Sequence, residues 1–251
     1  MRPEEELHPG DGYGGNGVHF FPPSADSSLI FLHGRGDSGE GWGVLAGLLD
    51  SREALRGRVR LILPTADRIH ITKYDIECNA WFDSRSERRD IDEDAKGFER
   101  SHRRVQHLIQ QEIQNGIKPS RIIVAGFSQG GAMAYYTPLR SDTPLAAAIC
   151  LSGWCPFLHD LIVQKAFASG NCQFMHMHGV ADTVVDYSFA RQSYEAAVEA
   201  TKKAAAAAAA DPATVASRFE FKTYERLGHE SNAKEMADFL HFIERCLAKN
   251  T

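Results

Sequence analysis

At 251 residues and 43% hydrophobic content, the chain is long enough to bury a full core in one large α/β domain. Its formal charge of -5 comes from interspersed acids and bases with no basic stripe, which argues against a nucleic-acid partner. The acidic start Met1 to Glu6 has no apolar h-region and no stretch approaches the ~20 apolar residues of a membrane span.

Five cysteines without a CxxC pair fit a reducing, cytoplasmic setting. The end Ala248 to Thr251 is no prenylation box, so membrane contact is expected only transiently, through surface or substrate.

Residues 1–17, rich in Gly, Pro and Glu, bury too little surface to offset their ordering entropy and are expected to form a flexible leader to a single domain over 18–251. Apolar runs at Leu29 to Leu32, Val59 to Leu63, Ile122 to Ala125, Ala146 to Leu151 and Phe174 to Met177 are short and mostly unbroken, as in parallel strands buried on both faces. Phe219 to Tyr224 alternates and predicts a further strand. Between these runs lie helical periods. From about Asp92 to Asn115, Phe98, Val105, Leu108, Ile109 and Ile113 share one face, acids occupy the start, and Asn115-Gly116 and Pro119 supply the stop.

A last helix is predicted over about Ser231 to Ala248, with Met236, Phe239, Leu240, Ile243 and Leu247 on one face. Before it, Thr201-Lys202-Lys203, seven alanines and Asp211-Pro212 are expected to extend a surface helix as an insertion over about 201–213 that carries no chemistry. Strands alternating with helices predict a mostly parallel, doubly wound sheet with helices on both faces. Active sites in such sheets collect beyond the carboxyl ends of the strands.

The run Arg121 to Ala125 leads into Gly126-Phe127-Ser128-Gln129-Gly130. A sharp strand-to-helix turn needs glycines two residues either side of the nucleophile, which then stands exposed above the sheet. This match is weak alone and is strengthened by context. A serine nucleophile needs a base, and the base needs a carboxylate; in this fold they follow in the order Ser, acid, His. Asp182, in the loop after Phe174 to Met177, is the candidate acid. Its competitor Asp186 lies where the next helix begins and makes an adequate N-cap. His229, in Leu227-Gly228-His229-Glu230, is the candidate base, whereas His176 within a strand and His241 within the last helix read as structural.

Acyl transfer also needs oxyanion donors, and the loss of one raises the barrier by ~3 kcal/mol. The backbone amide of Gln129 is one candidate. The amide of Arg35, in the loop His33 to Gly39 after the strand ending at Leu32, is the other. That loop lacks the GxxxxGK of a phosphate loop, and its Arg35-Gly36-Asp37 tripeptide is a coincidence in a cytosolic chain.

With these pieces placed, the chain resembles the acyl-protein thioesterase and lysophospholipase-like carboxylesterase family of α/β-hydrolases from about Val18 to Leu247. The resemblance rests on LHGRGDSG at Leu32 to Gly39, LPTA at Leu63 to Ala66, AWFD at Ala80 to Asp83, GFSQGGAMA at Gly126 to Ala134, LSGW at Leu151 to Trp154, HGVADTVV at His178 to Val185 and LGHE at Leu227 to Glu230. It implies an α/β-hydrolase fold with Ser128, Asp182 and His229 as the triad, the amides of Arg35 and Gln129 as oxyanion donors, and neither cofactor nor metal. It further implies hydrolysis of long-chain acyl thioesters on S-palmitoylated proteins, with lysophospholipids and small acyl esters as alternative substrates. A non-catalytic binding protein on this fold would generally lose a triad member, and all three candidates are present.

In relatives the loop before the Trp-Phe-Asp block is mostly apolar and lines an acyl channel, whereas here Ile69 to Cys78 mixes apolar and charged residues. Ile71, Tyr74, Ile76, Trp81, Phe82 and Trp154 are the candidate acyl contacts. Arg35 stands where relatives usually carry Leu, and the Ala-rich tract is a further departure. The reading leaves homodimerisation open.

Overall fold

The apolar runs become strands because each of their faces meets its own core. In the computed structural model, which describes residues 17–86, 88–164, 167–168 and 170–248, all six residues of β2 (Ser27–Leu32) are buried. Leu29 and Phe31 enter one apolar cluster, and Ile30 and Leu32 enter a second on the opposite face. The leader expected over 1–17 lies outside the described residues except for Gly17, which opens β1 (Gly17–Phe20) and pairs with Pro64.

The other strands are β3 (Val59–Pro64), β4 (Arg68–Ile71), β5 (Ile76–Asn79), β6 (Ile122–Phe127), β7 (Ala147–Leu151), β8 (Gln173–Gly179) and β9 (Phe219–Tyr224). Among the described residues, seven form one sheet in the order β1-β3-β2-β6-β7-β8-β9, parallel except for the antiparallel edge strand β1. The mostly parallel sheet expected from sequence is therefore present. The order runs outward from β2 to β3 on one side and resumes with β6 on the other, so a crevice opens beyond the carboxyl ends of β2 and β6.

Helices cover both faces. α1 (Val44–Asp50) packs into the cluster of Leu29 and Phe31, together with the C-terminal helix, Ala233–Ala248. α2 (Ala95–Gln114), α3 (Gln129–Arg140) and α4 (Tyr187–Ala207) pack into the other cluster, with α5 (Pro212–Ala216) adding Val215; the C-terminal helix is α6.

Three boundaries differ from the sequence reading. α2 starts at Ala95 rather than Asp92, because Asp92 turns left-handed at φ 52 and Asp94 takes the N-cap position, so the acids precede the helix. Likewise α6 starts at Ala233, after Asn232 has accepted the amide of Glu235 on its side chain at 2.9 Å. Residues 69–78, read as a loop, belong to an antiparallel hairpin of β4 and β5 that turns at a left-handed Asp75.

The Ala-rich tract also departs from a purely surface insertion. It carries α4 on to Ala207 with Thr201 and Ala205 fully buried, and Asp211 then caps α5 through the amides of Ala213 and Thr214.

Candidate active site

Ser128 alone separates β6 from α3, at φ 54 and ψ −114. Such a conformation costs a non-glycine residue about 1–3 kcal/mol and persists only where neighbours enforce it. The Ser128 amide donates to Leu151 O at 2.9 Å, and its carbonyl accepts from Ala132 N at 3.0 Å. The glycines on either side permit the turn. A Cβ on Gly130 would lie 1.9 Å from Leu32 O, and one on Gly126 would lie 2.3 Å from the Gly130 carbonyl carbon.

β8 and β9 end beside this elbow and deliver the other two residues. His229 Nδ1 lies 2.8 Å from Asp182 Oδ2, and His229 Nε2 lies 2.9 Å from Ser128 Oγ. Because a carboxylate only accepts, Nδ1 carries the imidazole proton and Nε2 is left to accept from the serine hydroxyl. The ring is steadied by Phe127, whose centroid is 4.9 Å away. Asp182 Oδ1 accepts the amides of Val184 and Val185, each at 2.8 Å. Burial alone would raise the Asp182 carboxyl, but the His229 hydrogen bond and these amides outweigh it and hold it below the usual carboxylate range. Asp186, the competitor, instead caps α4 through the amide of Phe189 at 3.0 Å.

The loop after β2 runs alongside the elbow: a Cβ on Gly34 would lie 3.5 Å from Ser128 Cβ. Gly36 N donates to Asn79 O and Asp37 N to Gly34 O, while the Arg35 amide has no partner among the described residues. Gln129 opens α3, where an amide has no intrahelical acceptor. The two amides expected as oxyanion donors thus flank Ser128 from the loop and from the helix.

Sequence reasoning missed what holds these loops. His33 is buried, donates from Nδ1 to Gly34 O at 2.6 Å and accepts from Ala66 N at Nε2 at 2.9 Å, which assigns it as a neutral imidazole. Burial lowers its pKa in agreement. The Gln129 side chain accepts from Trp81 N at 3.1 Å and donates to Phe82 O at 2.8 Å, so the elbow also fixes the Trp-Phe-Asp segment.

Under the acid loop runs a buried chain of donors. His178 Nε2 donates to Val185 O at 2.9 Å and sits 3.5 Å from Asp182 Oδ2, so its Nδ1 must accept from His176 Nε2 at 3.1 Å. His176 Nδ1 then accepts from Tyr135 Oη at 2.8 Å. Burial lowers the pKa of both histidines, as this neutral chain requires. His176, read as structural, is the middle of this support. Its sequence signal is the spacing of His176 and His178, which puts both on one face of β8. His241, also read as structural, is largely exposed on α6.

The candidate acyl contacts divide. Ile71, Trp81, Phe82 and Trp154 are at most 3% exposed and pack among core residues, and of these Phe82 and Trp154 also line a narrow cleft with Ser84 and Arg89. Trp81 donates its indole N–H to His33 O at 2.9 Å, and Phe82 stacks on Phe98 with centroids 3.8 Å apart. Tyr74 and Ile76, on the hairpin, stay exposed, as do Val180 and Val184 on the acid loop.

A model of the phospholipase/carboxylesterase family matches residues 23–247. The chain is 31% identical over 230 residues to acyl-protein thioesterase 1 of Saccharomyces cerevisiae, covering 89% of this chain and 94% of that protein. It is 32% identical over 225 residues to acyl-protein thioesterase 1 of Cryptococcus neoformans, covering 88% and 92%. Among solved structures, Zea mays acyl-protein thioesterase 2 matches with a TM-score of 0.74 at 26% identity, covering 92% of this chain and 98% of that one.

Proposed function

This chain belongs to the phospholipase/carboxylesterase family and has the α/β-hydrolase fold, and on that premise we propose that it removes long-chain acyl groups from S-palmitoylated proteins through Ser128, His229 and Asp182. The observation that supports the catalytic assignment is the continuous path from Ser128 Oγ to His229 Nε2 at 2.9 Å and from His229 Nδ1 to Asp182 Oδ2 at 2.8 Å. The names of the yeast and Cryptococcus relatives support a thioester on a protein as the substrate.

Ser128 Oγ attacks the thioester carbonyl while its proton passes to His229 Nε2. Negative charge on the carbonyl oxygen is met by the amides of Arg35 and Gln129, where loss of one donor costs ~3 kcal/mol. Collapse breaks the carbon–sulfur bond, and the proton on His229 leaves with the thiolate as a free thiol. A water then gives its proton to His229 and attacks the acyl-serine, releasing the fatty acid and restoring Ser128. Asp182 holds the imidazole in the working tautomer and stabilises its charged form. Five cysteines with no disulfide among them support a reducing, cytoplasmic site of action.

The test compares kcat/KM on an S-palmitoyl peptide, palmitoyl lysophosphatidylcholine and p-nitrophenyl acetate, with Ser128→Ala as the control. The proposal expects the peptide thioester to be the best substrate and the variant to lose roughly 10⁴-fold or more. Turnover of the short ester alone would make this a small-ester carboxylesterase, and an active Ser128→Ala would remove Ser128 as the nucleophile.

A further inference from the structure

Two guanidinium groups stand beside the triad, and among the described residues neither lies within ion-pair distance of an acid, although the charge of Asp182 acts on Arg89. Arg35, whose amide lies in the loop after β2, reaches Ser84 Oγ at 3.4 Å and rests its guanidinium 4.3 Å from the centre of the Tyr74 ring. Ser84 in turn lies 3.5 Å from Gln129 Nε2, at the start of α3. From the other side, Arg89 donates to Val184 O at 2.9 Å, in the same peptide unit as the Val185 amide that holds Asp182, and stacks over Trp154 at 4.6 Å. Ser84, Arg89 and Trp154 line one cleft. The buried indole N–H of Trp154 is likewise without a partner among the described residues.

The carboxylates nearby have partners of their own, Asp182 among them through His229 and the amides of Val184 and Val185. Asp83 and Asp94 bind Arg85, Asp90 binds Arg88 at 2.6 Å, Glu93 accepts the amide of Phe157, and Asp37 accepts from Trp42 Nε1 and Ser38 N. Among the described residues, neither Arg35 nor Arg89 forms an ion pair with any acid. Burial, and then the charge of Arg35, lowers the proton affinity of Arg89, and the opposing charges of Tyr74 and Asp182 offset this only in part, as expected for two like charges kept close in a partly dry site. Guanidinium groups without acids are suited to forked recognition of a carboxylate or phosphate.

We propose that Arg35 and Arg89 form an anion subsite at the mouth of the active site, selecting acyl substrates that carry a carboxylate or phosphate near the scissile bond. A fatty acyl chain is uncharged, so the anion belongs to the leaving group. The proposal rests on the acyl-hydrolase reading above and adds a preference to it.

Two matched pairs test it: S-palmitoyl peptides with Asp or Asn next to the acylated cysteine, and lysophosphatidic acid against monopalmitoylglycerol. The wild type should favour the charged member of at least one pair by about tenfold in kcat/KM, the size expected of one charge-assisted contact. The peptide pair identifies a protein anion and the lipid pair a phosphate. Arg35→Leu with Arg89→Gln should bring the ratio to about one, Arg35→Lys with Arg89→Lys should retain part of it, and added salt should shrink it in the wild type.

A wild type indifferent to charge, or a double variant that keeps the full ratio, overturns the subsite. Fluorophosphonate labelling of each protein separates the two claims. A labelled enzyme without charge preference sinks only the subsite, whereas an unlabelled, inactive wild type sinks the hydrolase reading on which it rests.

Discussion

Glu235 is fully buried on α6, and both its carboxyl oxygens lack a partner among the described residues. Burial, and then the charges of Asp182 and Asp238, push its carboxyl up to about 8 from an ordinary 4.5, so the folded chain holds it protonated at neutral pH. The unfolded chain gives that proton up first. The stability tied to this group is therefore complete below the unfolded value of 4.5 and is lost as pH rises towards 8, by at most about 1.4 kcal/mol per pH unit. Glu235→Gln keeps the shape and cannot ionise. Thermal unfolding of the pair should show the variant gaining on the wild type between pH 5 and pH 8; a constant difference would mean that the buried carboxyl is not held neutral. Residues such as this one, and His176 with its Tyr135 and His178 neighbours, were legible by type but not by role, because partners from α3 and β8 meet only after folding.

The joint between β6 and α3 depends on how closely the helix approaches β2. Gly130→Ala would place a methyl group 1.9 Å from a backbone oxygen of Leu32, which cannot rotate away, so α3 must shift. Denaturant unfolding should report a loss on the order of 4 kcal/mol, and fluorophosphonate labelling of Ser128 should fall with it. Gly47→Ala, on α1 with nothing within 4 Å of the added carbon, should be neutral or stabilise by up to about 1 kcal/mol. Equal stability for the two would mean that the close approach does not hold the elbow. At this scale the central strands were legible because both faces are buried and their sequences are continuously apolar. The β4–β5 hairpin was not, since it mixes exposed Arg68, His70, Ile76 and Glu77 with half-buried Ile69 and buried Ile71. The start of α2 was misplaced because Asp92, Glu93 and Asp94 read as acids of a first helical turn, whereas the left-handed turn at Asp92 puts all three ahead of Ala95.

Across the whole molecule, the strand order brings four distant loops to one edge of the sheet. Ser128 and His229 meet across 101 residues of sequence, and Asp182 and His229 across 47. Chain order, strand ends and the glycines of the elbow pointed to these three residues, since the fold delivers each from a strand terminus. The cations Arg35 and Arg89 were not legible as a pair, because they come from separate loops, one resting on Ser84 and Tyr74 and the other on Trp154. The central claim is that the acyl group passes through Ser128. Rapid acid quenching during turnover of an S-palmitoyl peptide, followed by peptide mass spectrometry, tests it most directly. The account predicts one palmitoyl group on the peptide containing Ser128, lost on longer incubation and accumulating when deacylation is slowed by His229→Ala after brief acylation with an activated palmitoyl ester. Steady turnover with no acylated Ser128 peptide, or palmitoylation of a different residue that turns over at the catalytic rate, would contradict it.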